Sequence, residues 1–337
     1  MRLGRILAVL FVLGILGLGG AYAYYDKAVT TPVDVSAKKV EFEVKKGATL
    51  NSVGKQLEAE GLIASATLWR VYLKLHAMAP SPKAGRHEVS AAMNVPELIE
   101  TLAGAPIPDD VPLTMVEGWR LVDADAALAE KGLIEAGAYI EAASDPSRFK
   151  IPFPAPPGTL EGYLLPETYA VPPGKLDVDK LIQRQIGAFH RRFLKPHAAE
   201  IEKSGRTLDD IVKVASLLER EEPNPETRPK VAGVMYNRLD SNTPLGIDAT
   251  SRYTLENWNE RKPFLAKLRD PNDPYNTRLK SGLPPTAIGA ASLPSLLAAL
   301  RPEPSKYWYY LHDSKRRIHF ARTAEEHEAN RKKYNVW

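Results

Sequence analysis

The chain has 337 residues, 44% of them hydrophobic, so it is long enough to form one or two domains with sizeable cores. Lysine and arginine number 45 against 41 acidic residues, a net charge of +4, and this near balance gives no support for a nucleic-acid partner. There is no cysteine, which excludes disulfides and thiolate metal sites.

The N-terminal segment is strongly apolar. Residues 6–25, ILAVLFVLGILGLGGAYAYY, are 20 residues without a charge, enough to cross about 30 Å of hydrocarbon as a helix. Arg2 and Arg5 precede them, so the positive-inside rule predicts a cytoplasmic tail at residues 1–5 and places the rest of the chain across the membrane. A cleaved signal peptide is the alternative, because AYA at positions 21–23 has the form of a cleavage site. The length of the apolar run favours an uncleaved transmembrane anchor.

A polar tether is predicted at residues 26–39, and a small mixed module at residues 40–104. The sequence VEFEV at the start of the module alternates as a half-buried strand does. A helix follows, with Thr49 or Asn51 as its N-cap and Gly61 at its end. A second helix, a short strand and a third helix complete an α+β module.

The larger remainder, residues 105–337, also mixes strands and helices. A strand, a turn and a helix are predicted over residues 111–134, and the proline- and aromatic-rich residues 151–174 predict ordered but irregular structure. Helical periodicity follows, and the chain ends with two aromatic strands and a helix. Residues 270–292 are rich in Pro, Gly and Asn, and so long a loop in a compact domain is usually functional. The predicted fold class is therefore α+β.

Three glutamates, Glu219, Glu221 and Glu222, stand at the end of an apolar helix predicted from about residue 208. A helix C-terminus favours cations, so each carboxylate is misplaced there by about 0.3 kcal/mol or more. Two interpretations remain. In the first, the end of the helix is frayed and solvated. In the second, one carboxyl lies against apolar side chains, and burial would raise its pKa toward about 6, as a general acid for glycosidic cleavage needs. Helical spacing cannot decide between Glu221 and Glu222.

Several motifs resemble those of one enzyme family. ASLLEREE, RPKVAGVMYNRL, LGIDATSRY and DPYNTRLKSGLPP follow one another as in the endolytic murein transglycosylases of the YceG-like family, and VEGWR and EGYLLPETY resemble two further blocks. The resemblance covers essentially the whole chain. The module at residues 40–104 is similar to the LysM-like subdomain of the family, and residues 105–337 to its catalytic domain. The chain departs from the pattern after Gly-Leu-Pro-Pro, at Thr286, Ala290 and Ala291.

The resemblance implies a lytic transglycosylase. Such an enzyme cleaves the MurNAc–GlcNAc β-1,4 bond of nascent peptidoglycan without adding water, leaves 1,6-anhydro-MurNAc ends and terminates strand elongation. The resemblance implies Glu221 as the catalytic acid and then base, with Glu219 as its partner, and a single carboxyl can serve both steps. Glu222 falls where the family commonly has a small polar residue, so it is set aside as a catalytic group.

Further residues are candidates for substrate binding. Asp248 could position the sugar or stabilise positive charge, or it is a turn residue. Tyr275, Asn276 and Thr277 offer hydroxyl and amide groups to N-acetyl sugars, or serve ordinary turn chemistry, and their loop is expected to form a wall of the cleft near Glu221. Asn237 is a further candidate that could equally be structural.

The expected partners follow from the same resemblance. They are peptidoglycan glycan strands, peptidoglycan synthases (penicillin-binding proteins) and the inner membrane, with the catalytic domain in the periplasm. No cofactor is expected, and no metal, because the spacing of His312, His319 and His327 is no recognised zinc ligand set. Two rival functions are a membrane-tethered glycan-binding scaffold without catalysis and a muramidase-type hydrolase that pairs Glu221 with Glu219 or Asp248.

Overall fold

The chain divides into two compact units, Met1–Asp109 and Asp110–Trp337. A computed structural model describes residues 2–76 and 80–336, except for the side chains of residues 2–12 and 14. Helices and antiparallel strand pairs occur in both units. The predicted α+β class is therefore confirmed.

The first unit packs helices around one strand pair. Its elements are α1 (Arg2–Thr30), β1 (Val40–Val44), α2 (Leu50–Ala59), α3 (Ala66–Leu75), β2 (Gly85–Val89) and α4 (Val95–Ala103). Strands β1 and β2 pair antiparallel, with Phe42 opposite His87. Phe42 is buried together with Trp69, whose indole Nε1 donates to the carbonyl of Leu50 at 2.8 Å. Of the two predicted caps of α2, Thr49 is the one that accepts a hydrogen bond, from the backbone N–H of Ser52.

Helix α1 contains the apolar run predicted to span a membrane. Residues 6–12 and 14 of that run have side chains that lie outside the described part of the structure. Among the residues described, none of the helices combines the length and the apolar character that a membrane crossing requires.

The second unit is larger and mainly helical. Its helices are α5 (Leu121–Glu130), α6 (Ala138–Ala143), α7 (Val178–Phe189), α8 (Lys195–Ser204), α9 (Leu208–Glu221), α10 (Arg228–Asp240), α11 (Asp248–Tyr253), α12 (Arg261–Lys267), α13 (Leu293–Leu300) and α14 (Ala324–Tyr334). Its strands are β3 (Val111–Thr114), β4 (Thr168–Val171), β5 (Tyr309–His312) and β6 (Ile318–Ala321). A π-helical segment at His190–Leu194 joins α7 to α8.

Two strand pairs flank the helices of this unit. Strand β3 pairs with β4 antiparallel, and β5 pairs with β6. The prediction of irregular structure for residues 151–174 is wrong near its end, where β4 forms. Strand β4 pairs antiparallel with β3, and the pairing satisfies backbone groups of both strands. In contrast, residues 270–292 contain no helix or strand within the described chain, as predicted.

Helix α9 lies at the centre of the second unit. Thr207 caps it by accepting a hydrogen bond from the N–H of Asp210 at 3.0 Å. The carboxylates of Asp209 and Asp210, in the first turn, interact favourably with the positive end of the helix dipole. Its apolar residues are almost completely buried: Ile211, Val212, Val214, Ala215, Leu217 and Leu218. Helices α13 and α10 pack against it. This packing fixes the point at which α9 ends and thus the position of the glutamates.

Candidate active site

The C-terminal end of α9 is ordered and held on several sides. Glu222 is only 3% exposed, and its backbone N–H still donates to the carbonyl of Leu218 at 3.0 Å. The guanidinium of buried Arg228 donates from Nε to the carbonyl of Glu222 at 2.8 Å. A cation therefore stands at the negative end of the helix, as the helix dipole favours. The interpretation of a frayed, solvated end is wrong.

A cleft of about 630 Å³ opens at this helix end. The end of α9, the start of α11, the loop at residues 270–292, strand β5 and helix α14 all contribute to its walls. The polar lining includes Glu221, Arg238, Asp248, Arg278, Tyr310 and His312. Two carboxyl groups thus share the cleft with several cationic groups and a phenol.

Glu221 is placed to carry a proton in this cleft. The hydroxyl of Tyr310 donates to its Oε2 at 3.2 Å. Burial raises the pKa of the Glu221 carboxyl to about 7, and the negative charge of Asp248 acts in the same direction. The hydrogen bond from Tyr310 and the charge of Arg278 oppose the rise only in part. A carboxyl that is half protonated near neutral pH suits both donation and acceptance of a proton.

Asp248 lies in the same cleft at the first position of α11. Its Oδ1 accepts from Nε of Arg278 at 2.6 Å, and Nη2 of that guanidinium lies equally close. Arg278 belongs to the loop at residues 270–292, so the ion pair ties this loop to the cleft. The loop therefore does form part of the cleft wall.

Glu219 has a different environment from that of Glu221. Its carboxylate forms an ion pair with Arg228 at 3.0 Å, and it accepts from the backbone N–H of Ser292 at 2.9 Å and from the hydroxyl of that serine. Both side chains of the ion pair are 6% exposed. The residues that line the cleft do not include Glu219. The structure therefore places the expected partner of Glu221 in a bridge between α9, α10 and the start of α13.

The loop residues expected to bind sugar point into the protein. Asn276 is fully buried, and its amide donates to the carbonyls of Lys267, Leu268 and Asp270 at about 3 Å. The Oγ1 of Thr277 accepts from the N–H of Ile247 at 3.1 Å. The Asn276 bonds hold the loop against the end of α12, and the Thr277 bond fixes the segment just before Asp248.

The two remaining candidates also form protein contacts. The hydroxyl of Tyr275 lies 2.9 Å from Oγ1 of Thr286, one of the positions at which the chain departs from the family pattern. The amide of Asn237 donates to the carbonyls of Ser305 and Tyr307 and so anchors the chain that enters β5. None of the four residues, Tyr275, Asn276, Thr277 and Asn237, is among those that line the cleft.

We expect Asn276→Ala to destabilise the protein. The substitution removes the amide that donates to three partly buried carbonyls, which should lower the free energy of unfolding by about 1–3 kcal/mol. Chemical denaturation measures this. The exposed Asn272 of the same loop is the matched control, and Asn272→Ala should change stability by no more than about 0.5 kcal/mol. Equal stability of the two variants would contradict a structural role for Asn276.

Glu161 is a buried acidic group that the sequence interpretation missed. Its Oε2 accepts from the N–H of Leu121 at 3.1 Å and from the hydroxyl of Tyr253 at 3.0 Å, and burial raises its pKa to about 7. It links the start of α5 to the end of α11. Its motif, EGYLLPETY, was the available signal, but its partners lie 40 and 92 residues away.

Histidines do not form a metal centre in the described part of the chain. No group of three or more His, Asp or Glu side chains with a suitable arrangement occurs among these residues. His312 and His319 instead each contact a single carboxylate, Glu222 and Asp313 respectively, both at 3.1 Å.

The fold and the cleft together define an α+β protein with a glutamate of raised pKa in an open cleft at the end of a buried helix. A profile of the YceG-like family matches residues 42–333. The chain belongs to the YceG-like family.

Relatives agree with this assignment. The chain is 27% identical over 331 residues to a Bacillus subtilis protein named endolytic murein transglycosylase, a match that covers 94% of this chain and 91% of that protein. A Streptococcus pneumoniae protein of the same name is 24% identical over 355 residues. That match covers 96% of this chain but only 64% of the pneumococcal protein.

A solved structure is also similar. The crystal structure of a YceG-like protein from Listeria monocytogenes aligns with a TM-score of 0.57 and 26% identity. The alignment covers 88% of this chain and all of the listerial chain. The family therefore rests on both sequence and fold.

Proposed function

We propose that the protein is an endolytic murein transglycosylase, a lyase that cleaves the glycan strands of peptidoglycan. The observation that carries the proposal is the Glu221 carboxyl, which lines an open cleft and has its pKa raised to about 7. The names of the Bacillus and Streptococcus relatives support the same activity.

In the proposed reaction one carboxyl performs both proton transfers. Protonated Glu221 donates to the oxygen that links MurNAc to GlcNAc as the C1–O bond breaks. The resulting carboxylate then accepts the proton of the muramyl 6-hydroxyl, whose oxygen bonds to C1 and closes the 1,6-anhydro ring. Protons and bonds balance without water, and the carboxyl returns to its starting state.

Asp248 suits a supporting role in this scheme. Positive charge develops on the sugar in an oxocarbenium-like transition state. A carboxylate held by Arg278 in the same cleft lowers the energy of that charge. Assistance from the N-acetyl group of the substrate would act in the same direction.

The raised pKa of Glu221 predicts a fall in activity on the alkaline side. Donation requires the protonated carboxyl, so kcat/KM should decrease as the pH rises through about 7. A pH profile of strand cleavage measures this, and a rate that is flat from pH 6 to 8 would contradict it. The contribution of this group to stability should also decrease as the pH rises from about 4.5 to 7. Its pKa is raised from the ordinary value of 4.5, so in this range the folded state binds more protons than the unfolded state.

Analysis of the products by mass tests the proposed function. Purified protein incubated with uncrosslinked peptidoglycan strands should yield shorter strands with 1,6-anhydro-MurNAc ends. Reducing ends would identify a hydrolase, and unchanged strands would identify a binding scaffold.

We further propose that residues 6–25 anchor the protein in the inner membrane, with the catalytic unit in the periplasm. Twenty uncharged residues after Arg2 and Arg5 support this topology. Protease added to spheroplasts should then digest the catalytic unit, and the membrane-bound form should begin at or near Met1. A mature chain that starts near Tyr24 would instead indicate a cleaved signal peptide.

Residues 40–104 are proposed as a LysM-like, glycan-binding subdomain. Its strand–helix order and the match of the family profile from residue 42 support the proposal. Peptidoglycan synthases are the proposed protein partners, since an enzyme that terminates nascent strands must meet them where they are made.

A further inference from the structure

Strand β5 pairs its side chains with the two adjacent glutamates at the end of α9. Tyr310 donates to Glu221, and His312 lies with its Nε2 3.1 Å from Oε2 of Glu222. Tyr310 and His312 are two positions apart on the strand and therefore project from the same face. Both line the cleft, and their rings meet edge-on with centroids 6.2 Å apart. His312 thus shares the cleft with the proton-carrying carboxyl.

The contact with Glu222 involves one ring nitrogen of His312, Nε2, and leaves Nδ1 on the other side of the ring. Glu222 is buried, and its other oxygen, Oε1, accepts from the N–H of Asn224 at 2.8 Å. A carboxylate only accepts hydrogen bonds, so paired with the carboxylate form of Glu222 the Nε2 of His312 would be the donor. In the neutral imidazole, Nδ1 is then an acceptor. Within the described chain, no other hydrogen bond involves the His312 ring.

We propose that His312, held by Glu222, is a substrate-binding residue whose Nδ1 accepts a hydrogen bond from a sugar hydroxyl or an acetamido N–H of the glycan. This inference rests on the proposed function. An acceptor in this position selects a neutral donor of the sugar over a carboxylate of the stem peptide. Glu222, which the catalytic scheme does not use, acts here as a positioning residue that fixes the tautomer of His312.

Two glutamine substitutions test the two parts of the proposal. In His312→Gln the amide N–H can still reach Glu222, but the remaining acceptor is a carbonyl oxygen on a flexible side chain and no longer lies at the position of Nδ1. The KM for uncrosslinked strands should therefore rise about 3- to 10-fold with kcat nearly unchanged. Glu222→Gln replaces the Oε2 acceptor by a donor, because its remaining oxygen is held by Asn224. The imidazole should then carry its hydrogen on Nδ1, and KM should rise at least as much.

The tautomer of His312 can be measured directly, and a purely structural role of Glu222 would not change it. Nitrogen NMR of the full-length protein should show the Nε2–H form of His312 in the wild type and the Nδ1–H form in Glu222→Gln. His319 is the matched control, because it forms a similar pair with Asp313 on the same strand pair but is not among the residues that line the cleft. His319→Gln should leave KM unchanged.

The outcomes separate this inference from the proposed function. Absence of anhydro products from the wild type would overturn the proposed function itself. An active wild type with an unchanged KM in His312→Gln would overturn only the inference, as would an Nδ1–H tautomer in the wild type. If Glu222→Gln does not fold, the KM of His312→Gln and the His312 tautomer in the wild type are sufficient to test the inference.

Discussion

Glu221→Gln is expected to reduce turnover of glycan strands by about 10²-fold or more. The amide keeps the shape of the side chain and can still contact Tyr310, but it can neither deliver nor accept the proton. Release of anhydro-ended fragments, followed over time, measures the loss. The residual activity should also lack the alkaline fall near pH 7, because the group that titrates there is gone.

The same variant should be at least as stable as the wild type. Burial and nearby Asp248 and Glu222 disfavour the charged form of the carboxyl, so a neutral amide removes an unfavourable charge at and above neutral pH. His319→Gln, outside the cleft, is the control for nonspecific loss of activity. Wild-type turnover in a folded Glu221→Gln protein would remove Glu221 from the mechanism.

Glu219→Ala is expected to lower the free energy of unfolding by about 3–5 kcal/mol. The substitution leaves the guanidinium of Arg228 buried without its carboxylate, and it also removes the acceptor of the Ser292 backbone N–H. Breaking a buried ion pair by removing one partner is far more costly than breaking an exposed one. Denaturant unfolding measures the difference.

An exposed ion pair supplies the comparison. Glu200 contacts Arg301 at 2.7 Å, and their side chains are 39% and 51% exposed, so Glu200→Ala should cost no more than about 1 kcal/mol. A loss in Glu219→Ala as small as that in Glu200→Ala would show that the buried bridge does not stabilise the end of α9. A catalytic role for Glu219 would then become the better explanation of its position.

Local patterns predicted many of the elements of the fold correctly. The alternation of VEFEV predicted β1, and the spacing of Ile211, Val214 and Leu218 predicted α9, because each pattern reflects one buried face of one element. Strand β4 was not predicted, since its pairing with β3 joins segments more than 50 residues apart. Its alternation of exposed and buried residues extends over only four positions between Pro166 and Pro172, which is too short to be recognised without the partner strand.

The sequence by itself determined that a buried helix ends in three glutamates and, through its motifs, the family to which the chain belongs. Periodicity could not separate their environments, because neighbouring helix positions point in directions only about 100° apart. The tertiary structure decided that separation through partners 9, 89 and 90 residues away: Arg228 for Glu219, Tyr310 for Glu221 and His312 for Glu222. Burial and nearby charge depend on these distant contacts, so the raised pKa of Glu221 and the buried ion pair of Glu219 exist only in the folded chain.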